Sequence, residues 1–304
     1  MESVNAATIQ ETTSIANRAM KFRLSRGGTA KRVRDKDAEA LVKSQLGDEG
    51  QIVSRELFSD KTNLVYQYQT VGNEMYTYHI KATLPFGDDS SRLLPNAAYF
   101  DYTSTMGGYI SKLDNLKVQI LATWDALVQA DMTARNNRLT SQGKSPTAKV
   151  EDYPTQQQMD YRLYVNWYPE PVSTSGDFRF SLPQEMLARV DQQLESLVAE
   201  AGRELYVRML RPVSAFVEKL NKFTGDKGQR FHTSFVDNLN ALSKELPHLN
   251  VNDDPQVTAL LGQIDAIIKP YAFAPELLKD DEFARSQVKA RLEQLEVTLK
   301  GYAF

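Results

Sequence analysis

The sequence contains no cysteine among its 304 residues. This absence excludes disulfide bonds, thiolate zinc sites, iron–sulfur clusters and cysteine nucleophiles in one step. It also fits a reducing compartment, in which disulfides would not persist. The three histidines, His79, His232 and His248, have no partner at the three- or four-residue spacing of a helical metal site. We therefore expect surface or hydrogen-bonded histidines, no metal and no cofactor.

Long hydrophobic runs and an excess of positive charge are also missing. No window approaches 18 uncharged apolar residues, so we expect no membrane span and no membrane partner. The N-terminal sequence MESVNAATIQETTSIANRAM has no continuous apolar core, so we do not expect a secretory signal. The net charge of −3 gives no global basic field of the kind that nucleic-acid-binding proteins often show. These observations together predict a cytoplasmic location.

The familiar catalytic motifs are absent too. The sequence has no GxxxxGK[ST], GxSxG or GxGxxG, so phosphate-binding loops and nucleophile elbows have no support. Two carboxylate clusters, Asp88-Asp89 and Asp280-Asp281-Glu282, could hold Mg²⁺. Each stands at a predicted turn or helix start, however, where acidic residues are expected anyway. We assign no catalytic residue and expect the protein not to be an enzyme.

The most informative feature that is present is one long amphipathic stretch. Apolar residues recur at three- and four-residue spacing from Leu182 to Phe223, which predicts a helix over 183–223. A helix of roughly 40 residues would be about 60 Å long. Pro212 should kink or split it near Met209, because proline removes a hydrogen bond and clashes with the preceding turn. Such helices typically hold proteins together instead of lining an active site.

The predicted fold class is mainly α with a small β element (α+β), with long antiparallel helices that are partly coiled-coil-like. The β element is assigned to Glu74–Leu84 and Phe178–Leu182, where alternating residues favour strands. The domain prediction is a flexible tail at 1–17, an α+β N-terminal part at 18–145 and a helical C-terminal part at 146–304 that contains helix 183–223. Further helices are predicted at about 35–46, 52–71 (with a strand as the alternative near 65–70), 99–139, 153–167, 228–246, 254–268 and 275–301.

A basic segment at 18–36 is the best functional candidate in the sequence. Eight cations face only Asp35 there, so the segment could neutralise several phosphates in a salt-dependent manner. Phe22 is its one possible stacking platform, whereas single-strand binders usually offer several aromatics. The alternative is a basic arm that docks on the protein's own acidic helices. The candidate nucleic-acid-binding residues are Arg18, Lys21, Arg23, Arg26, Lys31, Arg32 and Arg34.

Several stretches, taken in order, resemble a known family. They are TLPF at Thr83–Phe86, RLLP at Arg92–Pro95, DYP at Asp152–Pro154, PEPVSTSGDFRFSL at Pro169–Leu182 and RFHTSFVDNLNALSKELPHLNVNDDP at Arg230–Pro255. This succession is similar to an uncharacterised phage and bacterial domain-of-unknown-function family, over about residues 20–300. Members are often encoded beside MoxR-type AAA+ ATPases and von Willebrand factor A proteins. The resemblance implies a phage or phage-like origin, a host cytoplasm location if the gene is carried by a phage, and an adaptor or substrate role for such an ATPase.

Two functional hypotheses result from the sequence. The first is a non-enzymatic, homo-oligomeric interaction or assembly protein with protein partners, among them an AAA+ ATPase. The alternative is a nucleic-acid-binding protein, such as a single-strand or recombination accessory factor, that uses segment 18–36. The resemblance supplies no catalytic residues for this sequence.

Overall fold

A computed structural model describes residues 15–28, 32–47, 52–87, 91–174, 183–223 and 234–304. The protein is mainly helical with a small antiparallel sheet, which confirms the predicted fold class. The helices are α1 (Lys36–Leu46), α2 (Leu64–Ala82), α3 (Tyr99–Ala122), α4 (Trp124–Ser141), α5 (Gln156–Arg162), α6 (Gln184–Lys222), α7 (Ser234–Glu245), α8 (Pro255–Ile268), α9 (Leu277–Asp280) and α10 (Glu282–Ala303). The strands are β1 (Ala19–Arg26), β2 (Arg32–Arg34), β3 (Ser54–Glu56), β4 (Leu84–Pro85), β5 (Ser91–Pro95) and β6 (Val165–Glu170).

Four strands form the larger sheet, in the order β4-β5-β1-β6. Strand β1 pairs antiparallel with β5 from Ala19 opposite Pro95 to Arg23 opposite Ser91. The two edge strands contain Pro85 and Pro169, and Pro95 ends β5. Proline cannot donate to a strand ladder, so it is tolerated at edges and strand ends. A separate two-stranded ribbon pairs β2 with β3.

The chain divides into two compact units, each built from separated segments. Unit 1 is drawn from Met1–Arg23, Ile80–Tyr102 and Tyr168–Phe304, and unit 2 from Leu24–His79 and Thr103–Trp167. The predicted linear division at 145/146 coincides with neither set of boundaries. The chain passes between the units several times, and a composition-based search for linkers cannot detect this arrangement.

Unit 1 is organised by the long helix α6, which packs most extensively against α10 and also contacts α7, α8 and β4. The ten buried residues of α6 belong to one continuous apolar core, which also contains residues of the sheet and of α8 and α10. Burial of apolar side chains at roughly 25 cal/mol per Å² is the main stabilising term for such a core. The prediction of a long helix at 183–223 is confirmed by the bounds Gln184–Lys222.

The predicted split of the helix at Pro212 is wrong, whereas the kink stays a prediction. Helix α6 continues through Pro212 to Lys222. Met209 and Val213, on either side of the proline, are completely buried in the core. A proline inside a helix costs about 3 kcal/mol. Packing of the flanking residues offsets this cost, and no local pattern in the sequence could reveal that packing.

Two arginines of unit 1 bind the carbonyl groups at the end of α2. Arg208 of α6 donates to the carbonyl oxygens of Lys81 (2.7 Å), Ile80 (2.9 Å) and Thr83 (2.6 Å). Arg92 of β5 donates to the Thr83 hydroxyl at 2.8 Å and to the Thr83 carbonyl at 3.0 Å. The last carbonyls of a helix have no partners within the helix and carry partial negative charge, so cations are favoured there. These contacts tie the turn after α2 to α6 and β5.

Unit 2 is held together by aromatic contacts and buried polar pairs. The Phe58 ring contacts Trp124 and Tyr153, with ring centroids 5.5 Å and 5.4 Å away. The Trp124 indole donates to the Pro154 carbonyl at 3.1 Å, and the Tyr153 hydroxyl donates to Asp131 at 2.8 Å. The buried Arg55 guanidinium pairs with Asp152. Trp124 is therefore a core residue, as its place on the helical stripe predicts.

The predicted strand at Glu74–Leu84 is wrong, since α2 runs to Ala82 and β4 contains only Leu84 and Pro85. Met75 and His79, four residues apart, are both buried on one face of α2. The alternation of aromatic and polar residues in this segment therefore comes from a helix with exposed tyrosines, which strand periodicity imitates over a few residues. The second predicted strand, Phe178–Leu182, lies outside the described residues.

Several other helices begin or end at residues that differ from the predicted ones, and the reasons are local. The helix predicted at 52–71 begins only at Leu64, because the side chain of Asn63 accepts a hydrogen bond from the Val65 amide and starts the helix there. The helix predicted to reach 167 ends at Arg162 and is followed by β6. The one predicted at 275–301 is split, since Asp281 caps a new helix by accepting from the Ala284 amide. By contrast, the helix predicted at about 254–268 is confirmed as α8, which starts at Pro255 after Asp254 caps it by accepting from the Gln256 amide.

No helix in the described ranges combines the length and the apolar character needed to cross a membrane.

Candidate interaction surface

The basic residues at 18–23 lie in unit 1, and the chain itself provides partners for their charges. Arg18 forms an ion pair with Asp253 at 2.6 Å. Lys21 and Arg23 both face Glu170 of β6, at 3.3 Å and 3.2 Å. Their strand neighbour Phe22 is only 2% exposed. Its ring packs edge-on against Tyr102, at a centroid distance of 5.1 Å, so it offers no stacking surface to a base.

The basic residues of the segment from 26 onward lie in unit 2, and two of the four that the structure describes, Arg26 and Arg34, are also paired. The Arg26 side chain donates to Asn73 at 2.5 Å and lies against Gly72, where a Cβ atom would collide with it. Burial lowers the pKa of Arg26. Arg34 is bound by both carboxylate oxygens of Glu39 at 2.8 Å.

Arg32 is exposed, and among the described residues its side chain has no ion-pair partner. Lys31 lies outside the described residues. The seven predicted nucleic-acid-binding residues thus include five whose side chains contact other residues of the chain. The alternative interpretation is a basic arm on the protein's own acidic helices, but Arg18, Lys21 and Arg23 pair with Asp253 and with Glu170 of β6, which lie outside the helices. Nucleic-acid contact stays a prediction that rests on Arg32 and Lys31 more than on the other five.

The histidines and carboxylate clusters do not converge in the described part of the chain. His79 is buried in α2, His248 is exposed at residues 246–249, and His232 lies outside the described residues. Asp88 and Asp89 also lie outside them. Within the described ranges, no group of three histidine, aspartate or glutamate side chains is placed to share a metal ion.

A different surface in unit 1 presents large apolar side chains to solvent. Phe273 is 99% exposed, Phe283 is 74% exposed and Leu277 is 50% exposed. They lie within eleven consecutive residues that form short turns, helix α9 and the start of α10. We call residues 273–283 the acidic corner, because Glu276, Asp280, Asp281 and Glu282 interleave with these apolar side chains.

The backbone of the acidic corner is held by a compact set of hydrogen bonds. Successive turns form through the amides of Leu277, Leu278 and Lys279, which donate to carbonyls three residues earlier. The Arg285 guanidinium donates to the carbonyls of Leu278 (3.2 Å) and Lys279 (2.6 Å), and it lies 5.1 Å from the centroid of the Phe223 ring. The Leu278 side chain is buried and anchors the corner to the core. The exposed side chains therefore project from a fixed scaffold.

The four carboxylates of the acidic corner have no ion-pair partner among the residues that the structure describes. The cations next to them in sequence are Lys279 and Arg285, and the Arg285 guanidinium binds backbone carbonyls instead. Asp281 has a structural role, since it caps α10 through the Ala284 amide. Acidic residues at a helix start are favoured by the helix dipole, which accounts for Asp281 and Glu282 without a metal.

A recess lies between α7 and α8 in unit 1. It has a volume of about 260 Å³ and is lined by Ser243, Lys244, Pro247, Thr258, Leu261, Gly262 and Asp265. Lys244 and Asp265 give it one charge of each sign. No further group in the structure indicates what could fill it, and it supports no function.

The sequence predicts a carboxylate cluster at Asp280-Asp281-Glu282 but does not connect it with the apolar residues of the acidic corner. The available signal was Phe283, which lies off the helical stripe that buries Val288 and Leu292. Large apolar residues off the stripe and surrounded by carboxylates are expected on the surface.

Comparison with known proteins yields no relative: no family model, no curated protein and no solved structure matches this chain.

Proposed function

We propose that this chain is a non-enzymatic interaction or assembly protein that docks a protein partner on the acidic corner. The observation that carries this proposal is the exposure of Phe273, Leu277 and Phe283 on a hydrogen-bonded scaffold. Single exposed apolar residues are common, but a group of them surrounded by polar residues marks an interaction site. Aromatic side chains are also the residues that most often dominate binding energies in protein interfaces.

The partner proposed from the family resemblance is a MoxR-type AAA+ ATPase, with this chain as its adaptor or substrate. Self-association is the second form of assembly that the hypothesis includes, and the cytoplasm is the compartment in which such an ATPase would be met. What supports this proposal is the sequence resemblance, together with a fold that devotes its longest helix to packing. The phage or phage-like origin is part of the same proposal.

Nucleic-acid binding through segment 18–36 is the alternative function. Among the described cations of this segment, the exposed Arg32 and Lys36 favour it, since the other five contact residues of the chain. A labelled single-stranded oligonucleotide at about 50 mM salt tests it, because phosphate contacts are strongest at low ionic strength. Binding that weakens steeply with salt and is lost in Arg32→Ala would establish the alternative.

The test of the leading proposal uses light scattering after gel filtration. The full chain is measured alone over a range of concentrations and then with a purified MoxR-type ATPase encoded by a neighbouring gene. We expect a complex, or a concentration-dependent mass, that is reduced in Phe273→Ser/Phe283→Ser. The matched control is Phe304→Ser, since Phe304 is also a fully accessible phenylalanine of unit 1, at 95% exposure.

Two results would reject the proposal. One is a chain that stays monomeric at all concentrations and ignores the ATPase. The other is an assembly that survives Phe273→Ser/Phe283→Ser unchanged, which would place the interface elsewhere. Circular dichroism of both variants verifies that they are folded, as expected for substitutions at exposed positions.

A further inference from the structure

We infer that the acidic corner receives a basic amphipathic helix of a partner protein, with apolar residues on Phe273, Leu277 and Phe283 and with lysine or arginine over the surrounding carboxylates. This inference rests on the proposed function, because it names the chemistry of the partner at that same surface.

The exposed apolar side chains are spaced to receive a helix. Phe273 and Leu277 are four residues apart across consecutive turns, and Phe283 follows at the start of α10. Most of the ten steps lie in turns or helix with a rise of about 1.5–2 Å per residue, and Asp281 is extended, so the segment spans at most about 25 Å. That length suits about three turns of a partner helix, whose anchors recur every three or four residues.

Exposed carboxylates surround these apolar anchors. Glu276, Asp280 and Glu282 are exposed, and no cation of the described chain lies within ion-pair distance of them. Opposite charges across an interface steer association and select partners. A phosphate backbone or an anionic membrane would meet repulsion here, so the complementary surface is a cationic protein segment.

A second copy of this chain is less suited to the corner. The cations concentrated on β1 would be the natural counterpart, but Lys21 and Arg23 already contact Glu170, and Arg18 contacts Asp253. Docking them on another copy's corner would require these pairs to break. A partner whose cations are free until they bind avoids that cost.

The experiment measures peptide binding by fluorescence anisotropy with the full chain. The probe is a synthetic helical peptide, about 18 residues long, with leucine on one face and lysine on the other. A matched peptide replaces every lysine with glutamate. We expect the lysine peptide to bind at least about tenfold more tightly than the glutamate peptide, with an affinity that falls as salt is raised from about 50 to 300 mM.

Variants of the chain locate the binding. Phe273→Ser/Phe283→Ser should weaken the lysine peptide at least about tenfold, whereas Phe304→Ser should leave it unchanged. Glu276→Lys/Glu282→Lys should reverse the preference between the two peptides. The charge control is Glu195→Lys/Glu200→Lys, at two exposed carboxylates of α6 that no cation of the described chain pairs with.

Equal weakening by the two charge variants would overturn the inference, because it would mean that only net charge attracts the peptide. Equal affinity for the two peptides, or no binding of either, would overturn it as well. The peptide experiment can fail while formation of the ATPase complex or self-association still depends on Phe273 and Phe283. In that case the corner is an interface for a partner of another chemistry, and the proposed function stands. If neither assembly depends on Phe273 and Phe283, the inference and the proposed function both fail.

Discussion

Two regions of unit 1 combine aromatic residues with a concentration of charge. They differ in whether other residues of the chain bury the aromatic rings and pair with the charges. Strand β1 carries Lys21 and Arg23 against Glu170 and buries Phe22 in the core. The acidic corner leaves Phe273 and Phe283 in solvent and its carboxylates without a cation among the described residues. The comparison teaches that charge density indicates a binding site only where no internal partner is present.

The largest expected difference between the two regions is the loss in free energy of unfolding when an aromatic residue is replaced by alanine. Phe22→Ala should lower the free energy of unfolding by about 3–5 kcal/mol, because it empties a packed position between the sheet and Tyr102. Phe273→Ala should change it by less than about 0.5 kcal/mol, since that ring contacts mainly water. Urea unfolding of the two variants measures both values. Comparable losses would mean that the corner is part of the core, and the contrast would disappear.

A smaller effect is expected from the charges of β1. Glu170→Gln removes the carboxylate that Lys21 and Arg23 share, and it should cost about 1 kcal/mol, because partly exposed ion pairs contribute modestly. Glu276→Gln at the corner is the matched control and should cost nothing measurable in the same urea experiment. A stability unaffected by Glu170→Gln would show that the β1 cations are not held by their partner, and it would make them candidates for nucleic acid again.

The smallest effect concerns acid stability and compares a paired carboxylate with an unpaired one. Lys300 and the Ser214 hydroxyl hold the pKa of Glu296 below its ordinary value of 4.5. A carboxylate with a lowered pKa stabilises the fold at pH above its unfolded pKa, and this contribution is lost as the pH falls below that value. Stability measured from pH 6 to pH 3 should therefore decline less steeply in Glu296→Gln than in the native chain.

The control for this pH dependence is Glu276→Gln at the corner, where no ion pair is present among the described residues. The decline in stability of this variant with falling pH should match that of the native chain. If Glu276→Gln flattens the curve as much as Glu296→Gln does, this corner carboxylate has a stabilising partner.

Much of the helical architecture could be predicted from the sequence, and the reasons are local. The 3.6-residue stripe of α6 and the Asp254-Pro255 start of α8 are decided by neighbouring residues. Continuity through Pro212 and the helical state of Glu74–Ala82 could not be predicted, since both depend on tertiary burial of residues such as Met209, Val213, Met75 and His79. The local pattern at these places is compatible with two outcomes.

The candidate surface was predictable only in part. Segment 18–36 stood out because its cations are adjacent in sequence, but their partners Glu170 and Asp253 are more than 100 residues away along the chain. The acidic corner has the opposite character, since its carboxylates have no ion-pair partner among the residues that the structure describes. Finding it requires the exposure of each side chain, which composition and periodicity do not supply.

Hydrogen–deuterium exchange of the full chain, with and without a saturating amount of the lysine peptide, tests the central claim most directly. The account predicts slower exchange at residues 271–285, which contain the acidic corner, and unchanged exchange in β1. Slower exchange in β1 with no change at 271–285 would contradict it.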